Sequence, residues 1–303
     1  MLELRFNHIC AEKCVIALGF FDSVHRGHRH LIEKAKERAA ENGEKLAVFT
    51  FDNNPFGYVG RDEGEVYTYS ERIEMLKNMG VDIVVSATMD NEFSATPAVD
   101  FLDKLFSTMK ISEVFCGSDY RYGKNGFGDV NLLNLVAKHY KVKVNVVDFL
   151  LDTADKKIST STVKQYLSVG NVEAANGLLG EAYHITGVVE KNFGRGKALG
   201  FPTANIDIPP EKMCIRHGVY ATSTVVDGKS YESITNVGDK PTFGVTDVNT
   251  ETYLIDFDGD LYGKTITVKF FKFIRGIQKY DSKEQLILRL SKDIVESGAI
   301  KRF

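Results

Sequence analysis

The stretch Gly19-Phe20-Phe21-Asp22-Ser23-Val24-His25-Arg26-Gly27-His28, GFFDSVHRGH, decides how the first half of the chain is read. An apolar run, Val15 to Leu18, precedes it, and an amphipathic run opens at Leu31. A buried strand therefore turns here into a helix. In a parallel sheet, ligands sit beyond the carboxyl ends of the strands. A helix start offers free N–H groups and partial positive charge, which suit phosphate. Gly27 lets a ligand approach the backbone closely. Two histidines in such a turn supply hydrogen bonds where transition-state charge builds up. Two rival readings stand beside this one. The histidines are surface residues of an ordinary loop, or they join Cys10 and Cys14 around zinc. Zinc fits poorly, because only two residues separate the histidines and an apolar strand fills the gap.

Outward from this turn, strand and helix periods alternate. VIALGF (15–20), KLAVFTF (45–51), DIVVSAT (82–88), EVFCG (113–117) and KVNVVDF (143–149) are candidate buried strands. Leu31, Ile32, Ala35 and Ala39 share one helix face, and Ile73, Leu76 and Met79 another, with Thr68 and Glu71 placed as a capping box. Phe101, Leu102 and Leu105 follow Pro97, and a further helix carries Leu132, Leu133, Leu135 and Val136. This alternation predicts a doubly wound α/β domain on a parallel sheet. Two short helices, 161–169 and 171–179, end at Gly180.

From Tyr183 the texture changes to short alternating runs, HITGVVE, GVYATSTVV, ESITNVG, ETYLIDF and KTITVKFFKFI, broken by glycine and proline. They predict a small antiparallel β-barrel with hairpins at Asp227-Gly228 and Asp258-Gly259, then a terminal helix over about 282–297. The expected domains are 1–182 and 183–303.

The chain has 303 residues, 43% apolar and 26% charged, with a net charge of −3. There is no basic excess to suit general nucleic-acid binding. No apolar run approaches the roughly 18 residues of a membrane span, and the N-terminus lacks the pattern of a signal peptide. A cytoplasmic protein with reduced cysteines, acting on small molecules rather than nucleic acid or membrane, is expected. The sequence carries no signal of oligomeric state.

HRGH fits the HxGH signature of nucleotidyltransferases, and the longer GFFDSVHRGHRHLI resembles the first motif of the bifunctional riboflavin kinase/FAD synthetase family. TFDNNP (50–55), FCGSDYRYGKNGFGD (115–129) and ISTSTVKQYLSVGNVEAANGLLG (158–180) follow in that family's order. The resemblance implies that His25 and His28 contact ATP phosphates. Gly19, Phe21, Asp22 and Gly27 would shape the nucleotide pocket. Asn53 and Asn54 would lie near phosphate or flavin, and Asp119, Arg121 and Gly123 near nucleotide and FMN. Ser159, Thr160, Ser161, Thr162 and Lys164 would form a phosphate loop, although a polar helix cap would look the same locally. Three positions depart from the family pattern. Ser23 replaces glycine, Asn53-Asn54-Pro55 replaces Pro-His-Pro, and Lys164 replaces arginine. The lost histidine and arginine imply that adenylyl transfer is the slower step.

GRGKALGFPTANI (194–206) has glycines suited to wrapping phosphates, or to a plain turn between strands. Thr203 and Asn205 carry the hard oxygens that Mg²⁺ prefers. The string resembles the flavokinase signature of the same family. HGVYA, NVGDKPTFG, ETYLIDFDGDLYG and FIRG continue that pattern. The resemblance implies that Gly196, Gly200, Pro202, Thr203 and Asn205 hold ATP and Mg²⁺. Glu251 would be the catalytic base, although a lone strand glutamate is more often simply exposed. Asn236, Gly238 and Arg275 would lie near nucleotide or flavin. The implied enzyme phosphorylates riboflavin to FMN and then adenylylates FMN to FAD, with ATP as co-substrate of both steps. A chain with one working half, or a non-catalytic flavin-binding regulator, are the rival expectations.

Overall fold

The computed structural model describes residues 1–57, 63–191, 200–239, 248–298 and 300. Contacts divide the chain into two compact units, Met1–Thr160 and Ser161–Phe303.

The first unit holds six parallel strands: β1 (Leu2–Arg5), β2 (Cys10–Leu18), β3 (Lys45–Phe51), β4 (Ile83–Ala87), β5 (Met109–Gly117) and β6 (Lys143–Val147). Their order is β1-β4-β3-β2-β5-β6, so the winding reverses at β2. Helices α1 (Arg26–Asn42) and α2 (Tyr69–Asn78) cover one face. Helices α4 (Ala98–Thr108) and α5 (Val130–His139) cover the other, and α3 (Asn91–Ser94) is a single turn. Alternation along β2 feeds both cores. Val15 and Ala17 pack with Leu31, Ile32 and Ala35, while Ile16 and Leu18 pack with Phe101 and Leu105. The Thr68–Glu71 capping box opens α2 as expected. Strand β1 was not foreseen. It is a short edge strand with a mostly exposed pattern, and pairing with β4 rather than apolar periodicity defines it.

The second unit opens with α6 (Thr160–Ser168, starting on the boundary residue) and α7 (Val172–Leu179), the latter closed by Gly180 in the left-handed region. Strands β7 (His184–Val188), β8 (Thr203–Asp207), β9 (Gly218–Val226), β10 (Lys229–Asp239), β11 (Val248–Leu254) and β12 (Thr265–Arg275) follow. They form one antiparallel sheet in the order β7-β12-β9-β10-β11-β8. An isolated bridge between Glu190 and Asn205 joins its two ends and nearly closes a barrel. Gly187 permits that closure, since a Cβ there would lie 2.0 Å from Ile206 Cγ2. Inside, Thr222, Thr224, Ser233, Thr235 and Thr252 are fully buried and linked hydroxyl to hydroxyl at 2.8–3.0 Å. The terminal helix α8 (Lys283–Gly298) buries Asp293 and Ser297, while its apolar face is only half-buried.

Two expectations change. The division falls between Thr160 and Ser161, earlier than the change in periodicity near 182 suggested. Helices α6 and α7 pack on the barrel. Asn176 donates to the Phe270 carbonyl and accepts from the Tyr183 amide, and the Leu167 carbonyl accepts from Arg216 N–H. Asp227-Gly228 does make the two-residue β9–β10 hairpin. Asp258-Gly259 makes no hairpin, because β11 pairs with β10 and β8 while β12 pairs with β9 and β7.

Candidate active sites

Beyond the carboxyl ends of β2, β5 and β6, at the reversal of the sheet, lies a cavity of about 250 Å³. Gly19, Phe21, His25, Gly27, His28, Asp119, Ser159 and Thr160, all named from the sequence, line it. His25 is the N-cap of α1, and its Nδ1 accepts the His28 backbone N–H at 3.1 Å. That bond places the proton of the neutral ring on Nε2. The two imidazoles stack with centroids 3.7 Å apart, and Phe21 meets His28 edge-on. Gly27 is required by this stack, since a Cβ would press to 3.1 Å from the His25 ring. The backbone is also held in an unusual form, with Phe21 at φ 55° and the β-branched Val24 at φ 41°. Such strain collects at functional sites.

Burial drives the His25 pKa down to about 4, and burial with the neighbouring His25 and Lys157 charges drives His28 well below its ordinary value. Both rings are therefore neutral donors and acceptors at pH 7. The buried Nδ1 of His28 has no hydrogen-bond partner, as expected of an atom that awaits a ligand. Ser23, which stands where the family pattern has glycine, is buried and hydrogen-bonds Thr160 Oγ1 at 2.9 Å. The departure thus ties the first motif to Thr160, the last residue of the first unit.

Eight of the expected residues do not line the cavity. Asp22 accepts the Val66 N–H and fixes the loop from behind. Asn53 clasps both backbone groups of Met89, and Asn54 accepts the Phe56 N–H. Arg121 lies 3.8 Å from Asp129 on the surface. Gly123 packs on α4, where a Cβ would lie 2.5 Å from Ala98 Cα. Ser161, Thr162 and Lys164 continue α6 in the second unit.

Sequence reading missed two features. Lys157 and Phe149 line the cavity, Lys157 lying just before the quoted ISTSTVK motif. Arg72 on α2 is fully buried against Glu65 at 3.0 Å. It donates to the carbonyls of Phe20, Phe51 and Tyr67 and to Thr50 Oγ1, and so joins the first two motifs. A charged residue in a helix reads as solvent-facing, and only its contacts show otherwise.

In the barrel, register assembles the second constellation. Asn205 on β8 opposes Glu251 on β11, and Glu251 opposes Asn236 on β10. Asn236 opposes Val219 on β9, which in turn opposes Arg275 on β12. Directly opposed residues of an antiparallel sheet share a face. Thr203 and Gly238 lie two residues along their strands from this row and so share that face too. Strand β8 itself was read as a phosphate loop. Asn205 accepts weakly from Asn249 at 3.4 Å. The Arg275 guanidinium is engaged with the buried Asp293 of α8 through Nε and Nη2, and Nη1 donates to the Gly276 carbonyl. Gly200 and Pro202 lead into β8, and Gly196 lies outside the described residues.

A model of the FAD synthetase family matches residues 8–162, and a model of the riboflavin kinase family matches residues 179–300. The chain belongs to the bifunctional riboflavin kinase/FAD synthetase family. It is 33% identical over 302 residues to the bifunctional riboflavin kinase/FMN adenylyltransferase of Bacillus subtilis (strain 168), covering 96% of this chain and 94% of that one. The protein of the same name from Escherichia coli (strain K12) is 30% identical, over 93% of this chain and 91% of that one. A crystal structure titled as a macrolide-efflux protein from Streptococcus pneumoniae matches with a TM-score of 0.87 and 26% identity over 99% of each chain. No described helix here is long and apolar enough to cross a membrane.

Proposed function

We infer that this family member catalyses both reactions, making FMN at the barrel face and FAD at the α/β cavity. The observation that carries this reading is that one chain holds two separate constellations. One is the stacked, neutral histidine pair at the sheet reversal, and the other is the Asn205–Glu251–Asn236 row.

In the barrel, Glu251 takes the proton of the ribityl hydroxyl as that oxygen attacks the γ-phosphorus of ATP, and the bond from that phosphorus to the β-phosphate oxygen breaks to release ADP. Thr203 and Asn205 fit Mg²⁺ by the chemistry of their oxygens, and an ion that keeps phosphate and water ligands needs few from protein. The metal would neutralise charge on the departing phosphates. Asn236 and Gly238 shape the same face. Arg275, held by Asp293, sets the junction of β12 with α8.

In the α/β unit, the FMN phosphate attacks the α-phosphorus of ATP and pyrophosphate leaves. No side-chain nucleophile is needed, so positioning and charge stabilisation account for the rate. His25 Nε2–H and the His28 ring donate to phosphate oxygens, and Ser159 and Thr160 line the same cavity. We place the enzyme in the cytoplasm, where ATP is available.

Glu251→Ala should lower riboflavin phosphorylation by about 10²–10⁴-fold, the usual cost of losing a general base, and spare FMN adenylylation. His28→Ala should do the reverse, so that FMN accumulates. Separate assays with riboflavin and with FMN check this. Kinase turnover near the parent's in Glu251→Ala, or equal loss of both activities in either variant, would overturn the assignment.

A further inference from the structure

The adenylyl-transfer cavity is short of positive charge. Among the described residues that line it, Lys157 is the one lysine or arginine. The two histidines are neutral at pH 7. Asp119 and Asp148 in the lining add negative charge. A nucleoside triphosphate carries several negative charges into this space. More charge gathers on the leaving pyrophosphate as the FMN phosphate oxygen bonds to the α-phosphorus and the bond from that phosphorus to the β-phosphate oxygen breaks, its electron pair leaving with pyrophosphate. Neutral imidazoles can hydrogen-bond those oxygens but cannot neutralise them.

Lys157 is placed to do so. Its Nζ lies 2.5 Å from Asp119 Oδ2 and 3.6 Å from the centre of the Phe149 ring. Phe149 itself lines the cavity and is exposed. The ring supports the ammonium from one side, and Asp119 occupies it from another. The Lys157 and Asp119 side chains are 40% and 63% exposed, and so open an ion pair holds weakly in water. Phosphate oxygens entering the cavity can replace the Asp119 carboxylate with an acceptor of the same kind. The charge already acts across this space, since it helps depress both imidazoles.

We propose that Lys157 is a catalytic residue of the adenylyl-transfer step, its ammonium exchanging Asp119 for the β- and γ-phosphate oxygens of ATP and holding the pyrophosphate as it leaves. The proposal rests on the reading of this cavity as the FMN adenylylation site. It also supplies the cationic partner that the sequence departures, Asn54 and Lys164, had left in question.

The test uses the full chain and the variants Lys157→Met and Lys157→Arg. Two quantities are measured: FAD formation from FMN and Mg-ATP at several ionic strengths, and inorganic pyrophosphate affinity by titration calorimetry. Lys157→Met should lower kcat for FAD formation by about 100-fold, the usual cost of one transition-state donor. It should also weaken pyrophosphate binding and flatten the salt dependence of the rate, which a merely structural residue would not do. Lys157→Arg keeps the charge and should recover most of the loss. Riboflavin phosphorylation in the same samples reports that the rest of the chain is intact. FAD formation in Lys157→Met within about threefold of the parent, with unchanged salt dependence, would overturn the proposal. If the parent itself makes no FAD, the reading of the cavity fails. Lys157 is then judged by pyrophosphate alone, and equal affinity in parent and Lys157→Met would refute it.

Discussion

Arg72→Met probes how the first unit holds its two motif loops. The substitution removes a fully buried guanidinium and its bonds to Phe20, Thr50, Phe51, Tyr67 and Glu65. Methionine fills much of the volume but offers no donor. The Glu65 carboxylate, 2% exposed, loses the Arg72 charge, and breaking a buried pair from one side costs about 3–5 kcal/mol. That is a large part of the roughly 5–15 kcal/mol that a domain has to lose. With a slope of about 2 kcal/mol per molar urea, the midpoint of the first unit should fall by about 2 M. Urea unfolding of the full chain measures it, and the barrel transition in the same scan serves as the control. Adding Glu65→Gln should recover part of the loss, because no buried charge then remains at the pair. Adenylyl transfer should fall with Arg72→Met even where the unit stays folded, because the Phe20 and Phe51 carbonyls are no longer pinned together. A midpoint within about 0.25 M of the parent, or about 0.5 kcal/mol at that slope, would refute the reasoning, since that is the range of ordinary surface substitutions.

Acid stability should depend on His25. Its pKa is 6.5 when unfolded and about 4 when folded, so the unfolded chain takes the proton first as pH falls, and folding weakens between pH 6.5 and 4 by up to roughly 3 kcal/mol. His25→Asn keeps an N-cap acceptor and removes this one titration, so the gap between denaturation midpoints at pH 7 and pH 4 should narrow; an undiminished acid loss would assign it to other groups. Truncation tests the division of the chain. A fragment of residues 161–303 should be more stable than one of residues 183–303, which lacks the buried Val163, Leu167, Val172, Leu178 and Leu179 and the Asn176 bonds to Phe270 and Tyr183. Equal thermal midpoints would show that α6 and α7 contribute nothing to the barrel.

Local signals carried most of the fold. Lys45–Phe51 is a strand with the bounds its apolar run suggests, and the Thr68–Glu71 spacing forms the capping box it implies. The first motif was legible because glycine, histidine and helix start lie within ten residues. What stayed hidden depends on distant partners. Strand β8 is a strand because β11 pairs with it, and its sequence reads equally well as a loop. Asp258-Gly259 has a hairpin's residues but joins strands that are not neighbours. Helices α6 and α7 share the period of the helices before them, so nothing local says that they pack on the barrel. Lys157 and Arg72 are ordinary cations in the sequence, and what sets them apart is the company that folding gives them. Asn53 and Arg121 are the reverse case, since motif position marks them while the structure sets them outside the cavity, beside Met89 and Asp129.

The bridge between Glu190 and Asn205 has a consequence beyond shape. A curved sheet left open presents two rows of unpaired backbone groups, and such rows are templates on which another chain can add a strand. Here the two rows belong to β7 and β8, and they meet at the single described bridge from Glu190 to Asn205. Their meeting depends on a bare backbone at Gly187, where any side chain would collide with Ile206. Residue 187 therefore acts through what it lacks: a side chain there would press on Ile206 at the seam and strain the bridge that holds the sheet's ends together.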